Sequence, residues 1–262
     1  RRNVIAFSNG FHGMTLGALA LTGNASKRGG AGGAHLGDVT HMPFEGALGE
    51  SVDTLAFIEA TLANPSSGID APAAFVLETV QGEGGLNAAS PAWVQGIARL
   101  ARAHGALLIV DDIQAGCGRT GSFFSFDGFG VEPDIVTLAK SLSGFGLPFA
   151  AMLLRPEHDI WAPGEHNGTF RGNGHAFVTA RVALEKFWAD DRLRNQIALH
   201  SQLLEERLSQ MADRLAAAGI AAGLKGRGMM RGLDTGSGTL AGRICAAAFE
   251  RGLIIETSGA HD

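Results

Sequence analysis

The sequence predicts an α/β fold with a mainly parallel sheet. Short apolar runs alternate with longer amphipathic stretches over most of the chain. The short runs are apolar almost throughout, which is typical of strands that are covered on both faces. Strands that alternate with helices in this way favour a parallel sheet with helices packed against it.

The predicted strands are these apolar runs, each four to six residues long. That is the usual length of a strand in a globular protein. In chain order they are Val4–Phe7, Ala74–Thr79, Leu107–Val110, Ile135–Ala139, Phe149–Leu154, Gly228–Leu233 and Leu253–Glu256.

The predicted helices begin at capping residues or follow a helical period. Ser51–Ala63 opens with a serine cap, and Pro91–His104 follows Ser90 as N-cap. His175–Ala218 has a helical period with a break at residues 190–191, which predicts a helix closing a large domain and a second, connecting helix. The glycine-dense stretch Arg28–Gly37 is predicted to be a mobile surface loop.

We expect two domains. Residues 1–193 form a large domain, and residues 194–262 form the connecting helix and the start of a smaller α+β domain. The chain opens on strand-like residues and stops just after another strand-like run. We therefore expect it to be a fragment that lacks the N-terminal part of the large domain and the end of the small one.

Composition limits the possible partners. Of the 262 residues, 45% are hydrophobic and 18% are charged, and the net charge is −5 without a basic block, so nucleic acid is not expected as a ligand. No apolar run approaches the roughly 18 residues of a membrane helix. Cys117 and Cys245 stand far apart, as expected for a protein of the reducing cytoplasm.

Two predicted strands end in charged residues. The run before Asp111 and the run before Lys140 are both apolar, and small residues follow Lys140. In open α/β sheets the carboxyl ends of the strands are where ligands bind. Each charge alone is more simply explained by a structural ion pair or a solvated loop. No Walker A, G-x-S-x-G or H-E-x-x-H motif offers another site, and no metal site is expected.

Together the two charges indicate a pyridoxal 5'-phosphate (PLP) site. A lysine at the end of an apolar strand is partly desolvated, which lowers its pKa and makes the neutral amine available as a nucleophile. A nearby carboxylate, here Asp111, can hold a protonated ring nitrogen through a charge-assisted hydrogen bond.

The sequence resembles the class III, ω-type aminotransferases of PLP fold type I over essentially its whole length. Several motifs in the family's order carry the resemblance. They are Gly10-Phe-His-Gly-Met-Thr15, Glu78-Thr-Val-Gln-Gly-Glu-Gly-Gly85, Asp111-Asp-Ile-Gln-Ala-Gly-Cys-Gly-Arg-Thr-Gly121, Pro133-Asp-Ile-Val-Thr-Leu-Ala-Lys140 and His166-Asn-Gly-Thr-Phe-Arg-Gly-Asn173. The resemblance implies a PLP-dependent transaminase whose large domain binds the cofactor.

The resemblance also implies roles for residues around the ring. Lys140 would be the cofactor-bound lysine and the proton shuttle, and Asp111 would pair with the ring nitrogen. Phe11 and Ile113 would cover the two faces of the ring, although composition alone favours ordinary core packing for either residue. His12 would assist the stack or be a hydrogen-bonded turn residue. A further polar contact near the phenolic oxygen would come from Gln114.

Two more residues match family positions that serve substrate and partner. Thr169 would reach the phosphate of a second subunit's cofactor, which implies a homodimer or larger homo-oligomer; a turn residue is the alternative. Glu83 would mask or release an arginine as substrates alternate, and an acidic loop residue is the alternative. The family's glycine-rich phosphate loop would precede Arg1 and that arginine would follow Asp262, so we expect the isolated chain to be inactive.

Within the family, four segments resemble the members that transfer the amino group of glutamate to aspartate 4-semialdehyde: Asp111–Cys117, Lys140–Phe149, His166–Gly172 and Arg227–Gly232. That reaction gives L-2,4-diaminobutyrate and 2-oxoglutarate and opens ectoine biosynthesis. The alternatives are other ω-aminotransferases that use ornithine, 4-aminobutyrate or diaminobutyrate of a siderophore pathway. A more distant alternative is a non-catalytic α/β module that binds a metabolite and in which Lys140 is structural.

Overall fold

The computed structural model describes residues 1–31 and 34–259. Its centre is a six-stranded sheet, and a small two-stranded hairpin lies beside it. In chain order the strands are β1 Val4–Phe7, β2 Val39–Met42, β3 Ala74–Leu77, the hairpin strands β4 Val80–Gln81 and β5 Asn87–Ala88, β6 Leu107–Asp111, β7 Ile135–Leu138 and β8 Ala151–Leu154. The order in the sheet is β2-β1-β3-β6-β7-β8, and all neighbours are parallel except β8, which pairs antiparallel with β7.

Helices fill the connections between the strands and most of the last third of the chain. They are α1 Leu16–Leu21, α2 Ala25–Arg28, α3 Thr54–Ala63, α4 Pro91–Ala103, α5 Gly174–Phe187, α6 Arg192–Ala217 and α7 Gly238–Phe249. Short 3₁₀ helices lie at Gly29–Ala31, Lys140–Ser143 and Pro156–His158. Among the described residues, no helix combines the length and the apolar character that crossing a membrane requires.

The main core lies between the first strands of the sheet and helix α4. Phe7 packs edge-on against Phe44 and Trp93, with ring centroids 6.3 and 5.0 Å apart. Helix α4 buries one face, including Val94 and Ile97, because its apolar residues recur at helical spacing. The predicted cap is confirmed, since the Ser90 hydroxyl accepts a hydrogen bond from the Trp93 N–H at 3.2 Å. This packing holds the strand ends that carry the site.

The C-terminal part is a hairpin of β9 Gly223–Arg227 and β10 Met230–Asp234 that packs against α6. Arg227 joins this hairpin to the large sheet unit. Its guanidinium donates to the Ser125 carbonyl at 2.6 Å and lies 4.8 Å from the centroid of the Phe129 ring. The division of the chain at residue 193 stays a prediction.

Several predicted strands are confirmed with shifted ends, and one is wrong. Leu253–Glu256 is irregular and largely exposed, with Ile254 83% accessible, and it pairs with no strand among residues 1–31 and 34–259. Apolar character alone therefore misled the prediction, because a strand also needs a paired backbone, and the described residues place none beside this segment. Conversely, β2 was not predicted, since Val39–Met42 contains a threonine and a histidine and lacks a continuous apolar run.

The helix predictions need smaller corrections. The predicted Ser51 cap is wrong, because Asp53 caps α3 by accepting the Ala56 N–H at 3.0 Å. The predicted break at residues 190–191 is confirmed by the gap between α5 and α6. The predicted loop Arg28–Gly37 begins with the end of α2 and a 3₁₀ turn, and its residues 32 and 33 lie outside the described part of the chain.

Candidate active site

The ends of β6 and β7 meet at one edge of the sheet. Asp111 is the last residue of β6 and pairs in register with Thr137 of β7, three residues before Lys140. The Asp111 carboxylate is buried and accepts three hydrogen bonds: from the Thr137 hydroxyl at 3.1 Å, the Ile113 N–H at 3.2 Å and His12 Nδ1 at 2.8 Å. The acid is therefore fixed in one orientation by groups from three segments.

His12 is the imidazole partner of Asp111. Its side chain is only 3% exposed, and burial alone would lower its pKa. The hydrogen bond to Asp111 and the charges of Glu78 and Asp111 outweigh burial, so the pKa of His12 is raised. The backbone N–H of His12 donates to the Thr22 hydroxyl at 3.1 Å, which anchors the turn that carries it.

Lys140 begins the 3₁₀ helix that follows β7. Its backbone has a φ of 50°, in the left-handed region that non-glycine residues seldom adopt. Although Lys140 is exposed, desolvation by the surrounding protein lowers its pKa, against the raising effect of Glu83, Glu78, Asp111 and Glu256. A lowered pKa leaves more of the amine neutral near pH 7, which favours nucleophilic and base chemistry.

Gly144 fixes the turn after Lys140 against helix α5. It has a φ of 72°, and a Cβ there would come within 2.5 Å of the Ala183 Cβ and 3.3 Å of the Thr179 carbonyl. The position therefore requires glycine for both its backbone conformation and its close packing.

We expect Gly144→Ala to destabilise the protein by about 2–4 kcal/mol in urea denaturation, since it combines left-handed strain with overpacking. Gly146→Ala is the matched control, because Gly146 has a φ of 77° but open space around its Cβ position. The control should lose only about 1–2 kcal/mol. Equal losses in the two variants would contradict the packing argument.

Glu83 lies near this edge on a glycine-rich turn. Its carboxylate accepts a hydrogen bond from Gln114 Nε2 at 3.0 Å. A Cβ on Gly82 would overlap the Gln114 side chain, so glycine lets the two segments approach. The site thus combines an amine, a fixed carboxylate–histidine pair and a second carboxylate held by an amide.

The comparisons with known proteins identify the family. The sequence profile of Aminotransferase class-III matches residues 1–261. The chain belongs to the class-III aminotransferases.

Relatives within the class-III aminotransferases cover the whole chain. Diaminobutyrate–2-oxoglutarate transaminase of Halomonas elongata is 53% identical over 99% of this chain and 62% of its own length. The protein of the same name from Vibrio cholerae is 56% identical over 100% of this chain and 62% of its own length. This chain therefore spans about three fifths of the curated relatives it matches.

A solved structure confirms the predicted fold class, that of the PLP-dependent transferases of fold type I. A Bacillus anthracis aminotransferase aligns with a TM-score of 0.84 at 25% identity and covers 100% of this chain and 63% of that structure's chain. The predicted α/β architecture with a mainly parallel sheet is thus found in the structure and in this neighbour.

In the structure of this class-III aminotransferase, seven of the eight predicted site residues lie at or next to the β6–β7 edge, and one lies apart from it. Six of them lie on the segments that meet at the β6–β7 edge or are hydrogen-bonded to it: Phe11, His12, Glu83, Asp111, Ile113 and Gln114. Lys140 follows the adjacent strand. Thr169 lies outside this network, in the exposed segment 159–172. The roles assigned to these residues stay predictions.

Two details of the site differ from simple expectation. The Gln114 amide, predicted to bind near the cofactor, donates to Glu83. Phe11 and Ile113 are half-buried, and each uses its backbone N–H to fix a carboxylate, Glu78 and Asp111 respectively. The turns that carry the two apolar side chains are thus anchored by the acids of the site.

Sequence reasoning missed Glu78, Thr137 and Asp112. Glu78 directly follows the apolar strand β3, so the rule that selected Asp111 and Lys140 would also have selected it. Thr137 gave no signal, because a threonine inside a strand is ordinary. Asp112 is 1% exposed, accepts the Ser125 N–H at 3.1 Å and has no partner for Oδ1 among the described residues.

Asp112 makes the stability of the protein depend on pH. Burial raises its pKa from 3.8 to about 6, so the protonated form is favoured in the fold. The stability that goes with the protonated form is fully present below pH 3.8, the pKa of this group in the unfolded chain. It is lost as the pH rises through about 6, the pKa in the folded protein. We expect Asp112→Asn to gain about 2–3 kcal/mol relative to the unmutated protein between pH 3.8 and 7, measured by urea denaturation. A difference that is constant over this range would contradict this assignment.

Proposed function

We propose that the whole protein is a PLP-dependent transaminase that transfers the amino group of glutamate to aspartate 4-semialdehyde. The products would be L-2,4-diaminobutyrate and 2-oxoglutarate. The observation that carries the proposal is the meeting of a buried, oriented carboxylate and a lysine of lowered pKa at the ends of neighbouring strands. The names of the Halomonas and Vibrio relatives support the choice of substrate.

Asp111 fits the ring nitrogen of PLP. A carboxylate has about four acceptor positions, and three donors already bind Asp111. One position is left for a further N–H, and the fixed orientation of the carboxylate would select the protonated nitrogen of a pyridine. The hydrogen bond between His12 and Asp111, which raises the pKa of His12, would keep the carboxylate in place.

Lys140 fits the aldehyde end of the cofactor. When bound, PLP supplies an aldehyde that accepts the amino group and an electron-withdrawing ring. The Lys140 amine, neutral more often than an ordinary lysine, would hold the cofactor and take or return a proton at Nζ. Phe11, Ile113 and Gln114 would line the ring.

Glu83 would serve the substrate. Its carboxylate acts electrostatically on Lys140, so it faces the region where a substrate amine would react. A carboxylate there attracts a cationic amine and repels the second carboxylate of glutamate. The hydrogen bond from Gln114 would hold Glu83 in one of two positions as the substrates alternate.

The proposed protein is a cytoplasmic homodimer in which Thr169 of each subunit reaches the phosphate of the other's cofactor. Large apolar side chains on the neighbouring segment support a contact surface, since Phe145, Ile160 and Phe170 are each more than four fifths exposed. Both cysteines are free, which agrees with a reducing compartment.

The proposal is tested on the whole protein in two steps. Borohydride treatment of the protein loaded with PLP should fix the cofactor covalently on Lys140, as read by peptide mass spectrometry. An amino-donor panel should then give the highest kcat/KM for diaminobutyrate in the reverse direction. A tenfold preference for ornithine or 4-aminobutyrate would contradict the substrate, and no fixed cofactor would contradict the function.

A further inference from the structure

Glu78 connects two turns of the site through one buried side chain. It directly follows β3 and is only 5% exposed. Its Oε2 accepts the Phe11 N–H at 2.9 Å, and its Oε1 accepts the Gly82 N–H at 3.3 Å. The first turn carries Phe11 and His12, and the second carries Glu83. A single carboxylate therefore holds the turn of Phe11 and His12 and the turn of Glu83 together.

We propose that Glu78 is a positioning residue that fixes these two turns relative to each other. The proposal rests on the proposed function in one respect, since the turns would serve a bound PLP. Glu78 would act through the two turns, because its side chain is buried and each of its oxygens accepts a backbone N–H from one of them.

The groups around Glu78 also give this carboxylate an electrostatic effect on the site. Burial raises the pKa of Glu78 to about 7, against the lowering effect of His12 and of the two backbone hydrogen bonds. In its ionised form, which predominates above that pH, Glu78 raises the pKa of His12 and of Lys140. The other charged or titratable groups that act on His12, Lys140 and the neighbouring His41 are Asp111, Glu83, Glu256 and Arg28.

Two substitutions separate the geometric role of Glu78 from its charge. Glu78→Gln keeps the length of the side chain, but it loses the charge and offers one acceptor oxygen in place of two. Glu78→Asp keeps the charge but is one methylene shorter, so it cannot reach both turns. The matched control is Glu59→Gln, which removes an exposed carboxylate on helix α3.

The experiment uses the whole protein and two measurements. The first is the dissociation constant of PLP, from titration of the cofactor into protein freed of it. The second is the pH midpoint of the visible absorption band of lysine-bound PLP. We expect Glu78→Gln to weaken PLP binding about tenfold and to move the midpoint to lower pH, since a negative charge that favours protonation at Lys140 is lost. Glu78→Asp should weaken binding to the same extent with an unchanged midpoint.

Binding and midpoint in Glu78→Gln that match those of Glu59→Gln would overturn the proposal. If Glu78→Gln shows no cooperative thermal transition, Glu78→Asp decides, and PLP binding within twofold of the unmutated protein would overturn the positioning role. Failure of the proposed function has a different signature, because the unmutated protein itself would then bind no PLP at Lys140.

Discussion

Replacing Lys140 by alanine is expected to reduce transaminase turnover of the whole protein by about 10⁴-fold or more. Proton transfer by a positioned side chain contributes up to about 10⁴-fold, and this lysine would also hold the cofactor. Alanine would leave the position shortly after β7, where the backbone is left-handed, without any amine. Turnover is measured by coupled assay of 2-oxoglutarate, and borohydride fixation should disappear with it.

Lys186→Ala is the matched control for Lys140, since Lys186 is exposed on helix α5 and lies over the Phe187 ring, 5.5 Å from its centroid. The control should keep its turnover within twofold. Retention of more than a tenth of the activity in Lys140→Ala would exclude Lys140 as the essential amine and would favour the interpretation of Lys140 as a structural residue.

Asp111→Asn is expected to lower kcat by about 10²–10³-fold while the protein stays folded. The amide has the shape of the carboxylate and can still accept hydrogen bonds from Thr137 and Ile113. It lacks the negative charge that would stabilise a protonated ring nitrogen and that holds His12 at 2.8 Å. The loss should therefore appear in kcat and in the absorption spectrum of bound PLP, with a moderate loss of thermal stability because the buried His12 loses a charged partner.

Asp213→Asn provides the control for this charge change, because Asp213 is exposed on helix α6. It should leave kcat and the spectrum unchanged. If Asp111→Asn and Asp213→Asn gave the same kcat, the carboxylate at the end of β6 would have no electrostatic part in the reaction. A large loss of thermal stability in Asp111→Asn alone would instead show that the acid is chiefly structural.

The sequence predicted those parts of the fold and site that depend on local pattern. Buried strands such as β3 and β6 are continuous apolar runs, and α4 has both a serine cap and a proline at its first position. The placement of Asp111 and Lys140 at the ends of the neighbouring strands β6 and β7 also followed from a local rule, since each residue follows an apolar run. Two charged strand ends together are informative because parallel strands bring such ends to one edge of the sheet.

Features that depend on the surroundings of a residue were not predictable in this way. Leu253–Glu256 has the composition of a strand, but pairing needs a free neighbouring backbone, and the segment lies exposed. The hydrogen bonds of Glu78 to two turns depend on contacts distant in sequence, and so does the burial of Asp112. Caps are ambiguous where several candidates follow each other, as Ser51 and Asp53 do.

The in-register pairing of Asp111 with Thr137 has a consequence for protein engineering. Neighbouring strands stand about 4.8 Å apart because their backbone ladder sets that spacing. The separation of β6 and β7 is therefore independent of the connection 112–134, and an insertion at an exposed point such as Gly128 should leave the chemistry intact. A one-residue slip of β7, in contrast, would turn its side chains to the opposite face of the sheet.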